Sequence, residues 1–357
     1  MVPGFPERVT MSVSNSIRAA LAFAACLPLG TAHAADMKSP ITLVSQVELP
    51  EIVGDFDHLT VDLKRNHLFV TAEVHHSVEV FDLKTGKHLQ SVGGLKTPHS
   101  IAFVPEKDEL LICDGGDSSL VLLSGEDFHR LDRIQLMDGS ATGKGDSPDA
   151  AYYDKTSRLY YIGNGGISAN LKTSKISIFS VDQGKLIGDI DVDGDNVEAM
   201  GVDSSANRLY VNIRDKKQVG VYELSTGKLV TTWTAPDMNR NTALMVDSKS
   251  HRIFVGGRKP AFLYVFDPDG KVVQKLSLAE NNDDMNWDPA SKLLYVSGSQ
   301  GLSIYHQDTP DSYTEVARIP TNGGKTALLV PQVGLFFDIH PKTDIDTAGL
   351  LVYRVNQ

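Results

Sequence analysis

The sequence has 357 residues, of which 41% are hydrophobic and 22% are charged, and its formal net charge at pH 7 is −11. These proportions are ordinary for a soluble globular protein. The net acidity argues against binding of a polyanion such as nucleic acid over the whole surface.

The first 34 residues have the features of a secretory signal peptide. Arg18 supplies a positive charge, Ala19–Gly30 is a short apolar run, and Ala32–Ala34 forms an A-x-A cleavage site. The apolar run is too short to span a bilayer, although a retained membrane anchor is the alternative interpretation. We therefore expect a periplasmic or secreted protein whose mature chain, residues 35–357, has no membrane span.

A motif recurs seven times along the mature chain, which indicates a repeat architecture. Each copy reads as the end of an inner strand, a polar turn and a second strand of the type Leu-Tyr-Val. Successive copies are 41 to 50 residues apart. The anchor residues, at which the turns begin, are Asp62, Val104, Asp154, Asp203, Asp247, Asp288 and Val330.

A second motif follows in several copies and predicts two further strands. Apolar and polar residues alternate with period two, which is typical of a half-buried strand. The strand ends in a Gly-Lys turn, and a fourth strand comes next. The turn glycines are Gly86, Gly184, Gly227 and Gly270. Four antiparallel strands per unit, repeated seven times, predict an all-β fold: a single-domain, seven-bladed β-propeller.

The last unit, Lys325–Val355, contains only three predicted strands. Leu43–Leu49, near the mature N-terminus, has the pattern of a strand without a unit. We predict that it completes the last blade and closes the ring, which removes an open sheet edge. We expect the protein to be a monomer.

Two units carry a family resemblance. Arg208–Asn212 with Val219–Lys228, and Leu68–Thr71 with Val78–Lys87, resemble the YVTN-repeat (YncE-like) family of bacterial propellers. The resemblance covers residues 41–357 and implies an exported seven-bladed propeller, but it says little about function. The wider superfamily includes quinoprotein subunits, gluconolactonase-like hydrolases and streptogramin lyases, and a fold does not imply a function.

Polar residues precede every predicted inner strand. In a propeller these strands line the central channel, so the residues before them form a ring around its mouth. The ring consists of Asp57, His58, His99, Asp149, Glu198, Asn241, Thr242, Asp283, Asp284 and Lys325. The alternative is a channel mouth that is polar only because it contacts water.

The ring predicts a possible divalent metal site. His58 or His99 together with Asp149 and Glu198 suits Zn²⁺. Asp149, Glu198 and Asn241 alone suit Ca²⁺, which prefers oxygen ligands. No other cofactor is indicated.

The same face has candidate contacts for a small-molecule or protein ligand. Arg214 and Arg258 occupy equivalent loops in units four and five, and with Lys325 they could hold an anionic carboxylate or phosphate. Asn241 and Asp284 are further candidate ligand contacts. Solvated loop charges are the alternative.

Three functions stay open. The first is a binding or scaffold propeller. The second is a metal-dependent, lactonase-like hydrolase in which Asp149 or Glu198 acts as a base. The third is a lyase in which His99 abstracts a proton beside a metal-held carbonyl.

Three further segments bear on the site. Two glycine-rich insertions around unit three, Met137–Ser147 and Gly165–Lys175, are predicted to form a wall or lid beside the ring. Glu73–His76 lies in a loop of unit one, where we expect surface histidines. Cys113 ends a strand and is expected to be a small buried residue and not a nucleophile.

Overall fold

The computed structural model describes residues 39–136 and 147–356. The predicted signal peptide and nearly all of the predicted insertion at 137–147 lie outside these ranges. Within them, no helix has the length and apolar character needed to cross a membrane.

The described chain folds into 28 strands. In chain order they are β1 Ile41–Glu48, β2 Phe56–Asp62, β3 His67–Ala72, β4 Ser77–Asp82, β5 His88–Val92, β6 Pro98–Val104, β7 Glu109–Asp114, β8 Ser119–Ser124, β9 Arg130–Gln135, β10 Ala151–Asp154, β11 Leu159–Gly165, β12 Ser174–Ser180, β13 Lys185–Val192, β14 Val197–Asp203, β15 Arg208–Ile213, β16 Gln218–Glu223, β17 Leu229–Trp233, β18 Leu244–Asp247, β19 Arg252–Gly256, β20 Phe262–Phe266, β21 Val272–Ser277, β22 Asn282–Asp288, β23 Leu293–Gly298, β24 Gly301–Thr309, β25 Ser312–Ile319, β26 Thr326–Val330, β27 Leu335–His340 and β28 Gly349–Val355. Short 3-10 helices occupy Gly115–Asp117, Gly166–Ala169 and Pro331–Val333.

The strands form seven four-stranded antiparallel sheets, which confirms the predicted seven-bladed propeller. Blade one is β2–β5, and each following blade takes the next four strands up to β25 in blade six. Each inner strand contacts the inner strand of the next blade, and β26 contacts β2, so the ring is closed.

The predicted closing strand is also confirmed. Blade seven has the order β1-β28-β27-β26, so the N-terminal strand supplies its outer edge. The pairing runs from Ile41 opposite Val355 to Glu48 opposite Gly349. The strand begins two residues earlier than predicted, because Ile41 is buried against a cluster that includes Tyr353.

The repeated aspartates form the turn between the first and second strands of a blade. Asp62 Oδ1 accepts a hydrogen bond from the Lys64 amide at 2.8 Å, an interaction typical of an Asx turn. Four other anchors accept a backbone amide in the same way: Asp154, Asp203, Asp247 and Asp288. Four residues after each of the seven anchors the backbone is left-handed, at Asn66, Asp108, Arg158, Asn207, His251, Lys292 and Gly334. The sequence signal of the repeat is therefore a conformational requirement of this turn.

The polar residue nine positions after an anchor links consecutive blades. Thr71 Oγ1 donates to the His99 carbonyl at 2.7 Å. Asn212 Nδ2 donates to the carbonyls of Thr242 and Ala243 at 2.9 and 3.1 Å. Both acceptor segments begin the inner strand of the next blade, so these bonds hold the ring residues in place.

The core lies between the blades. Phe254 and Val265 of blade five pack against Leu294 and Tyr305 of blade six, and similar clusters fill other spaces between blades. Cys113 is fully buried, and its Sγ lies 3.8 Å from the Tyr160 hydroxyl. Burial raises the pKa of this thiol, which agrees with the predicted structural role.

Candidate functional site

The ring residues converge on one cavity of about 550 Å³ at the mouth of the channel. All seven blades contribute to its lining. The ring members that line it are Asp57, His58, His99, Asp149, Glu198, Thr242, Asp283, Asp284 and Lys325. A cavity of this size suits a small molecule.

A recurring β-bulge directs several of these side chains. The pairing of the first two strands shifts register between Phe56 and Leu59 in blade one. Equivalent shifts occur in blades two, four and six. The sequence suggested that the ring residues precede the inner strands. In these blades they lie within the first residues of the inner strand instead. A bulge re-aims side chains and is common beside functional sites.

Asp57, His99 and Asp149 form a compact cluster, which we call the triad. His99 Nδ1 lies 2.9 Å from Asp57 Oδ2 and 3.5 Å from Asp149 Oδ1. One ligand atom from each residue lies within 4.8 Å of the others. Nε2 of His99 is buried without a hydrogen-bond partner among the described residues. Such unsatisfied atoms are uncommon in native structures, but this one is on the opposite edge of the ring from the two aspartates, which contact Nδ1.

The triad has strongly perturbed proton affinities. Burial opposes the charge of His99, but Asp149 and Asp57 outweigh it and raise its pKa to about 9. Burial also opposes ionisation of Asp57, yet the nearby His58, His99 and Lys325 hold its pKa well below the usual range. Burial raises the pKa of Asp149, with His99 opposing this effect. The ionised pair is thus Asp57 with His99.

His58, a predicted metal ligand, is bound by other carboxylates. Its Nδ1 lies 3.0 Å from Asp284 Oδ1, and its Nε2 lies 3.5 Å from Asp57 Oδ1. Burial lowers its pKa, but the two carboxylates outweigh this and raise it well above the usual value. Within the described residues, Asp57 and not His58 completes the candidate metal cluster.

Glu198, predicted as a ligand and a catalytic residue, pairs with Arg214 across the cavity wall. Burial and then the charge of Asp149 raise the pKa of Glu198 to about 7, although Arg214 opposes this. Its carboxyl group therefore titrates near neutral pH, which suits a general acid or base.

The predicted ligand contacts differ in their surroundings. Lys325 Nζ lies 3.1 Å from Asp55, 3.2 Å from Asp283 and 3.9 Å from Glu73. These carboxylates outweigh the effect of burial and raise the pKa of Lys325. Asp284 accepts the Ala327 amide at 3.0 Å in addition to its contact with His58. Lys325 and Asp284 are therefore largely satisfied by the protein itself.

Asn241 is fully buried and is not among the described residues that line the cavity. Its Nδ2 donates to Asn212 Oδ1 and to the Gln218 carbonyl, both at 2.9 Å. This places Asn241 between blades four and five, away from the position that an oxygen-only Ca²⁺ site requires.

One feature of the cavity lining was not predicted from the sequence, and another was predicted only in part. Glu73, which sequence analysis placed in a loop with surface histidines, lines the cavity. Burial, followed by the charge of Asp57, raises its pKa to about 8, with Lys325 opposing. Its position in the loop after the second strand was the available signal. Ile167 and Ser168 of the predicted insertion also line the cavity, as a wall would.

The residues fit a divalent ion. Nδ1 of His99 lies 2.9 Å from Asp57 Oδ2 and 3.5 Å from Asp149 Oδ1, which are separations near those between neighbouring ligands of an ion with bonds of about 2.1 Å. Such an ion would replace the proton on the imidazole. The donor set of one imidazole and two carboxylates is typical of Zn²⁺ and similar transition-metal ions.

The fold and the cavity define a seven-bladed β-propeller with a carboxylate-rich channel mouth. No family model matches this chain, and no curated protein sequence matches it. Among solved structures it is similar to a chain of Kuenenia stuttgartiensis hydrazine synthase, at 16% identity and a TM-score of 0.70 over 86% of this chain and 98% of that one. A chain of the mitotic checkpoint complex has 15% identity and a TM-score of 0.70, over 95% and 99%. At such identities the likeness supports the fold alone.

Proposed function

We propose that this protein is an exported, YVTN-like propeller that binds a divalent metal ion at its channel mouth through Asp57, His99 and Asp149. The observation that carries the proposal is the convergence of these three side chains, from three blades, on one cluster that lines the cavity, with Asp57 and His99 buried and Asp149 partly exposed. The signal-like segment 1–34 supports export to the periplasm or beyond.

The cavity is rich in carboxyl groups. Its lining includes seven of them: Asp57, Glu73, Asp149, Asp195, Glu198, Asp283 and Asp284. It also includes three permanent cations, Arg214, Arg258 and Lys325, and the imidazoles of His58 and His99, whose pKa values are raised. Each of these cations pairs with a carboxylate. A divalent ion at the triad would offset the repulsion between carboxylates, which adds to the effect of burial in raising the pKa values of Glu73 and Glu198.

A Zn²⁺-like ion fits better than Ca²⁺. Calcium takes six to eight oxygen ligands, whereas the triad has two carboxylates and an imidazole. Asp57, His99 and Asp149 would supply three protein ligands and leave a coordination position open, which is the arrangement of catalytic and ligand-exchanging zinc sites.

A calorimetric titration with ZnCl₂ tests the proposal. It uses the chelator-treated mature chain, and metal analysis measures the ions bound per chain. We expect one ion per chain, and at least about tenfold weaker binding in Asp57→Asn and His99→Ala. His306→Ala removes a histidine on the outer part of blade six and serves as the matched control. An absence of saturable binding, or equal affinity in all variants, contradicts the proposal.

Glu198 supports a second candidate function, a metal-dependent hydrolase or lyase. Its pKa of about 7, beside Asp149, suits proton transfer to or from a substrate bound near the ion. We expect Glu198→Gln to keep the metal but to lose turnover of a chromogenic aryl ester or a lactone. Unchanged turnover in this variant contradicts a role in catalysis.

A further inference from the structure

Blades four and five contribute three arginines at the cavity or beside it, two of which belong to its lining. Arg214 and Arg258 line the cavity from the loops that follow β15 and β19. Arg240 lies in the segment that leads into β18. The Arg258 amide donates to the Asn239 carbonyl at 3.2 Å, so the segment that carries Arg240 is bonded to the loop that carries Arg258.

The three guanidinium groups are not equally satisfied. Arg214 pairs with Glu198 through one terminal nitrogen. Arg258 donates from Nε to the Asn282 carbonyl and contacts Asp283, both at 2.8 Å. Arg240 is exposed and has no ion pair within 4.0 Å in the part of the chain that the structure describes. Unused N–H donors therefore remain on this side of the mouth.

The local energetics favour an anion here. The charge of Arg214, then burial and Arg258, lower the pKa of Arg240, so the three like charges lie close enough to repel.

We infer that Arg214, Arg240 and Arg258 form an anion subsite that binds the carboxylate or phosphate group of a small organic ligand. Planar guanidinium groups bind such groups through paired hydrogen bonds. The inference deepens the proposed function and rests on it in one respect, because the other end of the ligand is expected to reach the metal ion.

The layout of the cavity supports a bridging ligand. Glu198 contacts Arg214 and lines the same cavity as the triad residues Asp57, His99 and Asp149. The volume of about 550 Å³ accommodates a ligand that extends between the subsite and the triad. Lys325, by contrast, is held by Asp55 and Asp283 and is not part of the subsite.

The test uses metal-free mature chain, so that an anion cannot bind through the ion. Calorimetric titrations at constant ionic strength use inorganic phosphate in one arm and propionate in the other, with propionamide as the neutral counterpart of propionate. Arg240→Gln removes the exposed guanidinium without touching the core. Arg130→Gln, on the exposed outer strand β9, is the matched control.

We expect saturable binding of phosphate or propionate but not of propionamide, weakened about tenfold or more in Arg240→Gln and unchanged in Arg130→Gln. The tighter anion identifies phosphate or carboxylate as the natural group. No saturable binding of either anion, or equal affinity in Arg240→Gln and wild type, overturns the inference. The zinc titration is a separate measurement, so the failure of one proposal is distinguishable from the failure of the other.

Discussion

His99 Nδ1 lies 2.9 Å from Asp57 Oδ2, although 42 residues separate them. The contact joins the inner strands of blades one and two at the channel mouth. Asp149 approaches the same nitrogen at 3.5 Å from blade three. One imidazole is thus shared by carboxylates of two neighbouring blades, and its protonation affects both the stability of the ring and the availability of the triad for a metal.

The His99 imidazolium should make stability depend on pH. Its pKa is raised from 6.5 to about 9 in the folded protein, so its contribution is complete below pH 6.5 and is lost as the pH rises through 9. Relative to His99→Gln, the wild-type free energy of unfolding should fall by roughly 3 kcal/mol over this window. Denaturant unfolding at several pH values measures it. His306→Gln should leave the wild-type profile unchanged, and a parallel profile in His99→Gln contradicts the assignment.

Glu73 should destabilise the metal-free protein at alkaline pH. Its pKa is raised from 4.5 to about 8, so the cost of ionising it in the folded state begins above pH 4.5 and is complete above pH 8. Glu73→Gln should therefore match wild type at pH 4.5 and be more stable by roughly 5 kcal/mol at pH 8. Thermal unfolding at both pH values checks this. Glu126→Gln, in an exposed turn, should have no such effect; a loss of stability in Glu73→Gln at pH 8 argues against the prediction.

The closing strand should contribute strongly to stability. Ile41 is 2% exposed, whereas Leu43 of the same strand is 49% exposed. Ile41→Ala should cost about 2–4 kcal/mol and lower Tm by about 5–10 °C, with Leu43→Ala as a nearly silent control. Deletion of residues 41–50 should lower Tm further, because it leaves β28 as an open edge. Equal Tm values for the two alanine variants would show that closure does not depend on this packing.

The link through Asn212 should be required for the assembly of blades four and five. Its side chain is fully buried and bonds to the Thr242 and Ala243 carbonyls and to Asn241. Asn212→Ala should cost about 2–4 kcal/mol, because it leaves buried polar groups unpaired. Denaturant unfolding measures the loss, and Thr231→Ala on the exposed outer strand of blade four is the control. A change below about 0.5 kcal/mol rules out this role.

Most of the fold could be predicted from local signals. The Asp62-type anchors predicted turns because a carboxylate that accepts nearby amides stabilises them. The orphan strand near Leu43 predicted closure because one blade lacked a strand. Its start at Ile41 was missed, since the burial of that side chain depends on contacts with the C-terminal strand.

The candidate site could be predicted only in part. The position of the ring followed from the repeat, and the cavity brings most of its members together. The repeat did not indicate which charged residues of the ring pair with one another. His58 binds Asp284 and Asp57 instead of joining the triad, and Arg240, near the cavity mouth, had no motif to mark it.

The sequence by itself determined the seven-bladed architecture, its closure and the face on which polar residues gather, because period-two alternation and turn chemistry act between residues close along the chain. Only the tertiary structure decided that Asp57 joins His99 and Asp149, and that Arg240 lies near Arg214 and Arg258. Ion pairing and pKa values depend on through-space distances of a few ångströms between blades, and register shifts at the inner strands set those distances.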